Sequence, residues 1–221
     1  MNRPVELAQS QTAVLEVNKV LKNTYALLSV TLLFSALTAY ISMQMEMPGF
    51  MPLVATFGAL GLIWLVLPRT ANSAAGIAVV FAITGLLGLG LGPILNNYLQ
   101  MSNGSQLIMT SLGGTGVIFL ALSGYALTTK RDFSFMGGML VAGIVMVLIA
   151  SLANIFMEIP ALSLAISAVV ILIMSGFILH DTSRIINGGE RNYIVATVGL
   201  YLSLYNIFVN LLILLGVMSD D

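Results

Sequence analysis

One histidine, no cysteine and nine acidic residues leave this chain a small chemical repertoire. A hydrolytic zinc centre needs more ligands than one imidazole supplies, and no H-E-x-x-H pattern occurs. Ser123-Gly124 and Ser175-Gly176 lack the preceding glycine of a strained nucleophile turn. Ser175 and His180 are five apart on one predicted helix, which puts them on different faces. No phosphate-cradling loop is present. The chain is therefore expected not to be an enzyme, and to hold no metal or organic cofactor.

Two polar groups remain, and both fall in apolar surroundings. His180-Asp181-Thr182 ends an uncharged stretch that begins at Ile159. An ionisable group in a membrane span is costly and ordinarily faces the bundle interior. Two readings of Asp181 stand open. It is an interfacial residue that serves topology, or it lines the inner mouth of a polar pathway, with Arg69, Arg184 or Arg191 as counter-ions. In the second case its charge follows the balance between burial and the neighbouring guanidinium groups. Farther on, Ser203, Asn206 and Asn210 recur at i, i+3 and i+7, on one helical face, with Tyr201 and Tyr205 on an adjoining stripe. Asn154 is a candidate partner for these amides. Interhelical hydrogen bonds that act only as glue are the plainer reading.

The elements that must position these groups follow from composition. Of 221 residues 58% are hydrophobic and 8% charged, against roughly 25% charged in soluble domains. Such a chain cannot cover a water-exposed surface, so it is expected to be an all-α membrane protein. A helix needs about 20 apolar residues to cross the hydrocarbon core. Seven spans are expected, at about 23–45, 50–67, 74–95, 107–128, 134–157, 160–180 and 193–217, after a polar, flexible tail at 1–22. Close helix contacts are expected at Gly88 with Gly92 and at Gly138 with Ala142.

All eight Lys and Arg residues fall in four places: Arg3, Lys19 and Lys22; Arg69; Lys130 and Arg131; Arg184 and Arg191. These are every second connection between spans. Basic side chains resist translocation, so the N-terminus is expected in the cytoplasm and the Asp220-Asp221 end outside, with Glu46 and Glu158 also outside. Net charge is −1, which suggests no nucleic-acid partner. The lipid bilayer is the partner that composition implies.

Three motifs carry a resemblance. Thr84-Gly85-Leu86-Leu87-Gly88 leads to Leu91-Gly92-Pro93-Ile94-Leu95. Leu179-His180-Asp181-Thr182 is followed by Ile185-Ile186 and Gly188-Gly189. Tyr193-Ile194 leads to Leu200-Tyr201-Leu202 and Asn206-Ile207-Phe208. Together they resemble the Bax inhibitor-1 family. That resemblance implies a central seventh helix wrapped by six others. It also implies a pH-sensitive calcium leak, with calcium as the permeant ion, gated by two hydrogen-bonded aspartates on the sixth and seventh helices. Asp181 matches the first; Ser203 stands where the second is expected, and serine does not titrate. A bacterial subgroup of the family implies a different role, in the inner membrane. Its members modulate a membrane AAA protease of the FtsH type, which grasps the cytoplasmic tail, here residues 1–22. Modulation or inhibition of that protease is the expected function, and a calcium leak gated around Asp181 the alternative.

Overall fold

In hydrocarbon every backbone N–H and C=O must find its partner within the chain, so long apolar stretches become helices. The computed structural model describes residues 3–219, with side chains from Leu15 onward; the Asp220-Asp221 end lies outside the described residues. Among the described residues seven helices are long and apolar enough to cross a membrane. They are α1 (Arg3–Gln44), α2 (Met51–Thr70), α3 (Ala74–Leu99), α4 (Gly104–Thr129), α5 (Gly137–Met157, after a 3₁₀ turn at Ser134–Met136), α6 (Pro160–Ile186) and α7 (Tyr193–Ser219). The expected span 23–45 is the C-terminal part of a 42-residue helix that begins at Arg3. Likewise α6 runs past 180 to Ile186, which places His180 and Asp181 inside a helix and not at its end.

Two prolines show how neighbouring groups keep these helices continuous. The ring of Pro68 would strike the Trp64 carbonyl in a regular α-helix. The backbone widens into a π segment at Leu62–Val66, with Leu67 N–H donating to Leu62 O. α3 runs through Gly92-Pro93 without a break and continues to Leu99, past the expected end of the span at 95. Pro93 has no N–H to offer the Leu89 carbonyl. Ser42 on α1 offers its hydroxyl instead, donating to Leu89 O at 2.7 Å. Ser42→Ala is expected to leave that carbonyl unpaired in an apolar setting, at a cost of about 1–2 kcal/mol. Denaturant unfolding in detergent measures it; an unchanged midpoint would refute the role.

Packing builds outward from two helices. α1 and α2 lie on α3, α6 and α4 lie on α7, and α1 also reaches α7. α5 packs substantially only against α6. The seventh helix is central, and α3 shares that position with it. Leu28, Ile83, Leu200, Tyr201 and Leu204 form the larger apolar core between α1, α3 and α7. Leu91, Leu107, Phe208 and Leu212 form a second one farther along the same axis. Through the contact of α1 with its neighbours runs a seam of small hydroxyl residues, Thr24, Thr31, Ser35 and Ser42, all buried.

Candidate polar site at the basic end of the bundle

Antiparallel helices joined by short turns bring every second connection to the same end. Lys19 from α1, Lys130 from the α4–α5 connection and Arg191 from the α6–α7 connection accordingly line one cleft. Asp181 lies in the helical turns just before this end, with its side chain one-fifth exposed. His180 Nδ1–H donates to Asp181 Oδ1 at 2.9 Å. Both rings of contact depend on missing side chains. Asp181 Oδ2 lies 2.7 Å from the place a Cβ on Gly199 of α7 would take, and His180 Nε2 lies 2.9 Å from that of Gly137 on α5. The carboxylate thus abuts the backbone of the central helix, and the imidazole sits under the start of α5.

The other expected members of the site are distributed differently. Ser203, fully buried, donates its hydroxyl to Gly199 O at 3.1 Å within its own helix. Asp181 and Ser203 therefore meet the same residue, Gly199, but among the described residues no hydrogen bond joins them. Asn206 donates to Leu202 O and Asn210 to Asn206 O, each at 2.8 Å, again within α7. Asn154 is not a partner of these amides. It donates to Ser163 Oγ at 2.6 Å and accepts from Ile159 N at 3.1 Å, closing the α5–α6 hairpin where Glu158 adopts a positive φ of 52°. Among the described residues no hydrogen bond or ion pair joins any of the three arginines to Asp181, and only Arg184, on the same helix, acts on it electrostatically. Arg69 donates to Leu65 O, Arg191 to Gly188 O at 3.5 Å, and Arg184 lies 3.7 Å from Glu190. The partner of Asp181 is its neighbour His180.

Two residues that the sequence does not single out hold this end together. Ser183, fully buried two residues after Asp181, donates to Arg131 O at 3.0 Å and accepts from Phe133 N at 2.9 Å. It pins the α4–α5 connection to α6. Asn192 accepts from Ile194 N at 2.9 Å, capping α7, and donates to Ala71 O and Asn72 Oδ1 in the α2–α3 turn. An Asn just ahead of a helix is a readable capping signal; its reach to Ala71 has none. Asp132, fully outside the spans, has its carboxyl held below the usual range by hydrogen bonds from the Ser134 side chain and backbone. Among the described residues no three His, Asp or Glu side chains come together to hold a metal ion. Chemically, the arrangement is a carboxylate–imidazole pair wedged against a glycine on the central helix.

The sequence motifs and this architecture agree with comparisons to known proteins. Residues 17–220 match the family model described as inhibitor of apoptosis-promoting Bax1. The chain is 54% identical over 221 residues to the modulator of FtsH protease YccA of Escherichia coli strain K12, covering 100% of both chains. The same identity and coverage hold for the inner membrane protein YccA of Escherichia coli O6:H1. An uncharacterized membrane protein of Vibrio cholerae is 47% identical over 222 residues, again with 100% of each chain covered. This multi-pass helical membrane protein belongs to the Bax inhibitor-1 family.

Proposed function

We propose that this protein modulates an FtsH-type membrane protease, residing in the bacterial inner membrane with its N-terminus in the cytoplasm and acting without catalysis of its own. The observation that carries the reading is 54% identity, end to end and including the N-terminal segment, to a relative named as a modulator of that protease. Physical reasoning supplies a mechanism. A helix of 42 residues is about 63 Å long at 1.5 Å per residue, roughly twice the hydrocarbon thickness. Part of α1 therefore extends beyond the bilayer. With all basic connections cytoplasmic, that part points to where an AAA protease takes hold of its clients.

A protease that pulls on this segment pulls on α1. Farther along, α1 is locked to α3 and α7 by Ser42 on Leu89 O at 2.7 Å and by Ser35 on Tyr201 at 2.6 Å. A segment that is easily gripped, joined to a bundle that resists extraction, occupies the protease and hinders its work on other clients. The calcium-leak alternative is not favoured, since Ser203 bonds its own helix and offers Asp181 no second titrating group.

Deletion of residues 1–15 is the test. Co-purification with the protease, and inhibition of its degradation of a second membrane client, are expected to be lost. The helical fraction of the remaining residues and the unfolding midpoint in detergent are expected to stay. Unchanged co-purification and inhibition would overturn the reading.

A further inference from the structure

We infer that the cleft at the basic end of the bundle binds the headgroup of an anionic phospholipid. The cleft has a volume of about 840 Å³ and opens between α1, the α4–α5 connection and the α6–α7 connection. Three cations from these three elements line it, Lys19, Lys130 and Arg191, and two carboxylates, Glu16 and Glu190. The carboxylates do not neutralise the cations. Glu190 lies 3.7 Å from Arg184 and accepts from Asn192 N at 2.9 Å. Arg191 reaches, among the described residues, only the Gly188 carbonyl. Among the described residues no ion pair engages Lys19, Lys130 or Glu16. The cleft therefore presents, among the described residues, three cations without an ion-pair partner against one such carboxylate.

The setting selects a lipid over a soluble anion. The cleft lies where α4 and α6 end and α7 begins, the level of the headgroups for helices of this length. Its walls include Val17, Val20, Ile186 and Tyr193, so apolar surface continues from the cation rim toward the hydrocarbon. A ligand with a phosphate at one end and acyl chains at the other meets both kinds of lining. Basic pockets between spans at the cytoplasmic face are suited to such headgroups. Lys130 adds a further point. It ends α4 at a φ of 51°, a left-handed position where glycine or asparagine is the unstrained choice. A lysine there accepts backbone strain and brings a charge to the rim.

Native mass spectrometry and thermal unfolding of the full chain test this, in detergent micelles doped with phosphatidylglycerol or phosphatidylcholine. Phosphatidylglycerol is expected to stay bound and to raise the unfolding midpoint; phosphatidylcholine is expected to do neither. At roughly five-fold per basic side chain near an anionic headgroup, the triple variant Lys19→Gln, Lys130→Gln and Arg191→Gln is expected to lose about 100-fold in affinity. The control pair Lys22→Gln and Arg131→Gln, at the same end but not lining the cleft, is expected to lose little. All are exposed charges, so equal midpoints in phosphatidylcholine verify that the variants fold. Three results would overturn the assignment: equal loss in the control pair, which means general surface charge; equal retention of phosphatidylcholine; or reproduction of the effect by inorganic phosphate alone. The inference does not depend on the protease reading, and neither test reads out the other.

Discussion

Gly88→Leu is expected to force α1 away from α3 and to lower stability by about 3 kcal/mol, the upper end of ordinary overpacking costs. A Cβ at Gly88 would lie 2.1 Å from Thr38 Oγ1, 2.4 Å from Ser35 O and 2.9 Å from Ser35 Oγ. The threonine hydroxyl can swing aside. The Ser35 carbonyl belongs to a helix backbone and moves only if α1 moves. That displacement also pulls Ser42 from Leu89 O and reopens the gap that Pro93 leaves in α3. Gly113→Leu is the control, because nothing lies within 4 Å of its Cβ position. Its cost is expected within about 0.5 kcal/mol. Unfolding in detergent compares the two, and equal midpoints would show that α1–α3 contact is not what holds the bundle. Under the proposed function the two variants also part in cells. Once α1 is loosened the grip of the protease becomes extraction, so Gly88→Leu is expected to be degraded, and to persist when the protease is inactivated.

Tyr201→Ala is expected to cost about 3–5 kcal/mol, as deletion of a buried aromatic ring does. Tyr201 is 1% exposed and lies in the larger core, where α7 meets both α1 and α3. Its ring stacks on Tyr205 at 6.3 Å between centroids. Its hydroxyl donates to Thr84 O at 3.3 Å and accepts from Ser35 Oγ at 2.6 Å. One side chain therefore ties three helices. Tyr201→Phe keeps the ring and removes both hydrogen bonds. Interhelical hydrogen bonds in membranes contribute about 0.6 kcal/mol each and rarely above 1.7. The Phe variant is expected to lose about 1 kcal/mol, a fraction of the Ala effect. If Phe and Ala lose equally, the hydroxyl and not the packing governs the site.

Both expectations rest on features that differ in how plainly the sequence displays them. Helix number and the approximate spans were legible, because hydrocarbon leaves an apolar stretch little choice but a helix, and charges mark the ends. Gly88 and Gly92 were legible as a close contact from their spacing, but the same spacing at Gly138 and Ala142 misled, since nothing lies within 4 Å of a Cβ placed on Gly138. The third span runs to Leu99, past Pro93 and the expected end at 95, for a definite reason. A proline interrupts a helix only when the carbonyl it frees has no other donor, and the donor here, Ser42, is 47 residues away in sequence. The C-terminal end of α6 was placed too early because His180 and Asp181 are polar; a histidine partner and two facing glycines let them stay within the helix.

Residue types by themselves determined that this protein crosses a membrane seven times as helices and gathers its basic side chains at alternate turns. Both are local consequences of transferring peptide and charge between water and hydrocarbon. The partners of the polar groups were decided by tertiary structure alone: Asp181 beside His180 and Gly199, Asn154 in its hairpin, Ser35 on Tyr201, Ser42 on Leu89. A hydroxyl, amide or carboxylate in an apolar medium must pair, but several pairings satisfy the same composition. Only the register in which α1, α6 and α7 meet selects one of them.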